Sequence, residues 1–325
     1  MPSEFALIDR FFNRPTRHTL LGVGDDGALI AATPGHELVV STDMLVEGTH
    51  FLADTGAEDL GWKTLAVNVS DLAAMGALPR WATLAVALPA ADSAWIEAFA
   101  RGFFACADRF GIDLVGGDTT RGPRAFCVTI FGELPAGTAL RRDGAKPGDS
   151  IWMSGRPGRA ALGLAHLQGR TVLAEPILGD CLAALHRPQA RVELGLALRG
   201  VATSAIDVSD GLLADLGHIL DQSGQAARLR IPGLPAAGFE RDSLLAGGDD
   251  YELGFTAPSS SDSRIAALAA ELGLPLTRIG EIVPGPPGRL SLWDDTGSDI
   301  TPARHGYEHF MSPPEAGTVS RDQDG

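Results

Sequence analysis

The sequence predicts an α/β (α+β) fold built as two domains. Three observations carry that prediction. Strand-like and helix-like segments alternate along almost the whole chain. A charged, turn-rich stretch at 141–149 (RRDGAKPGD) divides the alternation near its middle. The 325 residues, 45 % hydrophobic and 21 % charged, supply apolar material for two ordinary cores.

The elements follow in order. Residues 20–23 form an apolar run that stops at Gly24-Asp25-Asp26-Gly27, and 37–41 (ELVVS) is a β-rich run. Residues 58–74 read as a helix, with Leu60, Thr64, Val67 and Leu72 at helical spacing. Residues 81–88 read as a strand closed by Pro89, and 92–110 as a helix capped by Asp92 and Ser93. Strands follow at 112–115 and 125–134. Beyond the divide, 150–154 is a strand leading through a glycine-bearing turn into a helix from Arg159. Residues 204–208 form an apolar strand before a helix at 211–222, and strands at 253–255 and 276–279 flank a helix at 263–272. The expected domains are 1–140 and 141–311, with a disordered tail at 312–325 rich in Pro, Gly and Asp. Val-Ser-Asp occurs in each half, at 69–71 and 208–210, each expected to lead into a helix, which hints at a duplicated architecture.

Charge and cysteine usage exclude several classes. With 26 basic and 41 acidic residues, the net charge of −15 disfavours binding to nucleic acid or an anionic membrane, both of which need a basic surface. Cys106, Cys127 and Cys181 are scattered and form no CxxC pair, so zinc ribbons and thioredoxin chemistry are out and a reduced, cytoplasmic setting is expected. The first residues carry no basic segment, so no signal peptide is expected. The longest uncharged apolar run, 81–91, is well short of the ~20 residues that span a bilayer.

The acids carry the functional signal. Asp25, Asp26, Asp43, Asp118, Asp207, Asp210, Asp249 and Asp250 sit at the ends of apolar runs, most of them beside glycine. Any one of these is ordinarily a turn former or helix cap. Asp71 differs, because it interrupts the apolar helix AVNVSDLAAMG, where a carboxylate costs desolvation unless it is paired. The only lysines are Lys63 and Lys146. Converging carboxylates with so few cations point to hard divalent ions, Mg²⁺ above all, which in turn hold phosphates. No GxxxxGK[ST] or dinucleotide-binding glycine motif exists. Phosphate binding would therefore rest on metal ions, backbone amides and arginine.

Taken together, GVGDDGALI (22–30), VVSTDMLVEGTHF (39–51), AVNVSDLAAMGALPRW (66–81), GGDTTRGP (116–123), LRRDGAKPGD (140–149), AIDVSDGL (205–212), GGDDYEL (247–253) and GYEHF (306–310) resemble the thiamine-monophosphate kinase family. That family belongs to the aminoimidazole-ribonucleotide-synthetase-like (PurM-like) superfamily, and the resemblance covers about residues 5–310. It implies an N-terminal sheet that pairs with its twin in a barrel-like homodimer, beside a C-terminal α/β domain. It implies transfer of phosphate from ATP to thiamine monophosphate with several Mg²⁺ ions. Position by position it implies metal contact at Asp26, Ser41, Thr42, Asp43, Asp71, Asp118, Asp207 and Asp210. It implies ATP contact at Gly117, Asp118, Arg142 and Ser209, and substrate contact at His50, Asp249 and Tyr307. Asp249 stands where the family carries Glu. No general base is expected, because a phosphate monoester with a second pKa of about 6 is already mostly dianionic at neutral pH. The alternatives are another superfamily enzyme with a different acceptor, or a regulatory module that binds nucleotide or metal without turnover.

Overall fold

The computed structural model describes residues 4–303 together with Gly306 and Tyr307. The predicted tail at 312–325 lies outside them. The first half runs α1 (Glu4–Phe11), β1 (Thr19–Leu21), β2 (Leu29–Ile30), β3 (His36–Val46), α2 (Ala57–Ala74), β4 (Leu78–Leu88), α3 (Ser93–Phe110), β5 (Asp113–Arg121) and β6 (Ala125–Pro135). The second half runs β7 (Asp149–Ser154), α4 (Arg159–Leu167), α5 (Ile177–His186), α6 (Val192–Leu198), β8 (Ser204–Val208), α7 (Leu212–Ser223), β9 (Ala226–Leu229), α8 (Phe239–Ala246), β10 (Glu252–Pro258), α9 (Asp262–Leu272), β11 (Leu276–Val283) and β12 (Leu290–Leu292).

Two sheets organise these elements. The first has the order β3-β6-β4-β5, antiparallel except for the β4–β5 pair. Its strands alternate with period two. Phe126, Val128 and Ile130 of β6 are buried against α2 and α3, while Cys127, Thr129 and Phe131 face the other way. Phe126 stacks on Phe99 and Trp95 of α3. Helices α2 and α3 cross closely because a Cβ on Gly61 would strike the Phe99 carbonyl. The opposite face of β3 exposes Leu38, Val40 and Met44.

The second sheet has the order β12-β9-β11-β7-β10-β8, antiparallel except for the β12–β9 pair. Both of its faces are covered. Ile151, Met153, Ile206 and Val208 pack on α7, while Trp152, Phe255 and Ala257 pack on α6 and α9. That is why all six residues of β7 are buried.

Helix α2 lies between the halves. It packs on α3 and the first sheet on one side and on α6 and β8 on the other. Polar residues survive inside it because two domains bury it from both sides: Lys63, Thr64, Asn68 and Ser70 are all buried.

Three sequence expectations are corrected. Strand β3 continues to Val46, so Thr42 and Asp43 lie within it and on opposite faces. Strand β5 continues through Gly116, Gly117 and Asp118 to Arg121, paired with β4 throughout. At Gly117 (φ 153°) any Cβ would strike the Leu84 carbonyl of β4, so glycine permits the pairing there instead of ending the strand. The two Val-Ser-Asp tripeptides sit differently. Residues 69–71 lie inside α2, and 208–210 close β8 before α7, so they are no sign of duplication.

Candidate active site

A cleft of about 310 Å³ opens where the two halves meet around α2. The N-terminal half lines it with Asp43, His50 and Asp71, and the C-terminal half with Asp207, Ser209, Asp210, Asp249, Tyr251 and Tyr307.

Strand β3 supplies Asp43, and Asn68 of α2 fixes it there by accepting the Asp43 N–H at 3.0 Å. Ser41, on the same face, donates its hydroxyl to Asp71 Oδ2. Thr42 points away and shares a hydrogen bond with the Thr129 hydroxyl at 2.9 Å, so its side chain does not join the cleft. The turn after β3 folds His50 back, and its Nδ1 accepts the Val46 N–H at 3.0 Å. That bond holds the ring in the Nε2–H tautomer.

Across the cleft, β8 ends at Asp207 and Val208. Asp207 is buried and accepts the Ser70 hydroxyl at 2.8 Å, which ties β8 to α2. The loop Ser209–Asp210–Gly211 is shaped by Asp215 in the first turn of α7. Its Oδ2 accepts the N–H groups of Ser209, Asp210 and Gly211 at 3.0, 3.1 and 3.1 Å. Tyr307 reaches the site by donating its N–H to the Asp210 carbonyl at 2.9 Å.

The electrostatics are those of acids facing one another. Burial, then the charges of Asp71 and Asp210, push the Asp43 carboxyl up to about 6. Burial raises Asp71 as well, against the Ser41 hydroxyl and the positive charge of Arg142. Burial and the Asp71 charge hold Asp207 well above the carboxylate range. Burial, then Asp210, lifts Asp215 to about 7. Arg142, exposed on the loop between the sheets, is the cation that acts on Asp71.

The acids line the cleft walls as a group, and among the described residues no three His, Cys, Asp or Glu side chains close into a ready-made metal cage. They nonetheless fit a hard divalent cation. All are oxygen donors, and desolvation with mutual repulsion is the strain that a bound cation relieves.

The predicted residues do not all meet. Asp26, Gly117 and Asp118 line a second cavity of about 600 Å³ between the loop after β1, α1 and the β4–β5 edge. Asp26 and Asp118 are exposed there. Sequence reasoning also missed residues that the cleft uses. Lys63, Asn68 and Ser70 hold cleft acids or their backbone, and Asp215 holds the Ser209–Gly211 loop. A signal existed for Lys63, because Lys63, Val67 and Asp71 recur at i, i+4 and i+8 on one helix face.

Comparison with known proteins agrees with this architecture. Residues 24–134 match the AIR synthase related protein, N-terminal domain, and residues 146–292 match the C-terminal domain of the same family. A thiamine-monophosphate kinase of Salmonella typhimurium is 44% identical over 323 residues, 95% of this chain and 99% of that protein. The crystal structure of the thiamine-monophosphate kinase from Stenotrophomonas maltophilia K279a superposes with a TM-score of 0.80 at 48% identity, covering 90% of this chain and 96% of that one. The structure of AaThiL complexed with AMPPCP and TMP superposes with a TM-score of 0.73 at 29% identity, covering 94% and 97%.

Proposed function

The chain belongs to the AIR synthase related family and, within it, to the thiamine-monophosphate kinases, and from that premise we propose that it transfers the terminal phosphoryl group of ATP to thiamine monophosphate. The products are ADP and thiamine diphosphate. The observation that carries the reading is the cleft itself. Asp207 is buried, Asp43 and Asp71 are half-buried, and the three face one another across the two halves of the chain. Such a group is a cation site and a poor acid–base device.

Asp43, Asp71, Asp207 and Asp210 would hold magnesium, with Ser41 steadying Asp71. When bound, the ions neutralise phosphate charge and align an in-line transfer. The residues do the rest by placement. Asn68, Ser70 and Asp215 hold the acids, or the backbone beneath them, in position before any ligand arrives. Arg142 offers a guanidinium to phosphate oxygens at the Asp71 end. His50 offers an Nε2–H donor, and Asp249 and Tyr307 line the wall toward the organic part of the acceptor. The acceptor phosphate is mostly dianionic at neutral pH, so no residue need remove a proton from it.

The working unit in this reading is a homodimer. Leu38, Val40 and Met44 form an exposed apolar stripe on the open face of the first sheet, and such a stripe marks a protein contact. Asp26, Gly117 and Asp118 serve ATP and metal only if pairing of two chains brings them to a cleft. The chain is read as a soluble enzyme of the cytoplasm. Among the described residues no helix is long and apolar enough to cross a membrane.

The test incubates purified protein with ATP, Mg²⁺ and thiamine monophosphate and separates the products by chromatography. EDTA and thiamine-only reactions run alongside. The reading expects thiamine diphosphate one-for-one with ADP, only when Mg²⁺ is present. ADP without thiamine diphosphate would overturn the acceptor, and turnover in EDTA would overturn the metal.

A further inference from the structure

Lys63 is buried at 3 % exposure in the middle of α2, and its ammonium lies 2.9 Å from Asp249 Oδ2, 186 positions away on the loop before β10. A buried ammonium is tolerated only with a partner. The pair therefore ties the N-terminal helix to the C-terminal loop at the floor of the cleft. The Tyr251 hydroxyl donates to the other oxygen, Asp249 Oδ1, at 3.0 Å. Both carboxylate oxygens are thus engaged, yet the side chain remains 28 % exposed and lines the cleft. Each carboxylate oxygen accepts more than one hydrogen bond, so the exposed edge keeps room for a donor from a ligand.

The loop is strained around this point. Asp249 (φ 69°) and Tyr251 (φ 52°) both adopt left-handed backbone, which is unfavourable for residues with a Cβ. Their N–H groups are fixed to the Ser209 and Val208 carbonyls, both at 2.8 Å. Asp250 between them accepts the Gly158 N–H at 2.5 Å and is turned away from the cleft. The Lys63–Asp249–Tyr251 chain is the part of this support that acts on a side chain lining the cleft.

The pair also divides the cleft by charge. Among the described residues, Asp249 is the one cleft acid in an ion pair; Asp43, Asp71, Asp207 and Asp210 have none. Building on the kinase reading above, we infer that Lys63 is a positioning residue that fixes Asp249 for the organic part of the acceptor and removes it from the set of carboxylates that bind metal. Lys63 shares its helix with Asp71 two turns on, so α2 sets the spacing between the acceptor contact and the metal end.

The test is steady-state kinetics on the full chain with both substrates varied. It covers wild type, Lys63→Met, Lys63→Gln, Asp249→Asn and the double variant Lys63→Met/Asp249→Asn. The inference expects Lys63→Met to raise KM for thiamine monophosphate about tenfold or more, while KM for ATP stays within twofold. Lys63→Gln, which keeps a donor without the charge, should fall between. The double variant should be no worse than the worse single one, because one linkage is lost in each case. It has no buried unpaired charge, so it carries the test if Lys63→Met does not fold. Acceptor KM within twofold of wild type in the lysine variants, equal rises in both KM values, or additive losses in the double variant would overturn the inference. A wild type that forms no thiamine diphosphate would instead overturn the kinase reading.

Discussion

Two groups of carboxylates drawn wholly or partly into the molecule have opposite surroundings. At the rim of the first sheet, Asp113 and Glu133 are saturated with donors. Asp113 accepts the N–H groups of Arg17 and His18 at 2.8 and 2.6 Å and the Thr19 hydroxyl at 2.8 Å. Glu133 accepts the N–H and hydroxyl of Thr33 at 2.5 and 2.9 Å and the Arg80 guanidinium at 3.1 Å. Burial works against the Glu133 charge, but the Thr33 donors and Arg80 outweigh it and hold its carboxyl below the usual range. In the cleft the balance is reversed. Asp43, Asp71 and Asp207 have few donors; burial raises all three, and the charge of Asp71 raises Asp43 and Asp207 further. The lesson is that burial of an acid marks no function by itself. A structural acid is finished by the chain that buries it, whereas a binding acid is left for a ligand to finish.

That contrast can be broken most sharply at Asp71. Asp71→Asn removes a charge that its neighbours already oppose. We expect turnover to fall by about 100-fold or more, the scale of a lost metal contact, while the melting temperature of the ligand-free protein holds or rises. Near-wild-type turnover would remove Asp71 from the metal set. The opposite pattern is expected at the rim. Asp113→Ala strands the donors of Arg17, His18 and Thr19, which costs roughly 2–4 kcal/mol. Thermal unfolding should shift down accordingly, and kcat of the folded protein should stay close to wild type. A large kcat loss with unchanged melting would place Asp113 in the wrong group.

How much of this was legible in the sequence follows from the same physics. The cleft acids announced themselves because Asp71 interrupts an apolar helix and the others stand at the ends of apolar runs, Asp210 and Asp249 beside glycine. The division between the sheets, from the end of β6 to the start of β7, falls around the turn-rich stretch that suggested it. The short strands β9 and β12 and the helices α1, α5, α6 and α8 went unread, because three to ten residues leave little period to detect. The metal contact at Thr42 rests on the resemblance alone, and the side-chain alternation of β3, which turns Thr42 away from Ser41 and Asp43, shows only once the strand is seen to run to Val46. In the sequence Lys63 stands out as one of two lysines. Its partner is 186 positions away, and no local pattern carries that pairing. The separation of Asp26, Gly117 and Asp118 from the cleft was invisible for the same reason.

The central claim, that the cleft acids await a divalent cation, has a direct measurement. Melting temperature is recorded with and without Mg²⁺ from pH 5 to pH 8, in wild type and in Asp71→Asn. The folded Asp43 carboxyl titrates near 6 and that of Asp215 near 7, both above the ordinary 3.8. Their contribution to stability is therefore full below about pH 4 and is lost as pH rises through 6 and 7. His186, whose pKa burial lowers, acts in the opposite direction below pH 6.5. It cancels when the melting temperature without Mg²⁺ is subtracted from that with Mg²⁺ at each pH. The account predicts that this Mg²⁺-induced shift in wild type is small at pH 5 and grows toward pH 8, as the carboxylates ionise, and that it is mostly abolished in Asp71→Asn. A shift that is absent, independent of pH, or equal in the two proteins would contradict it.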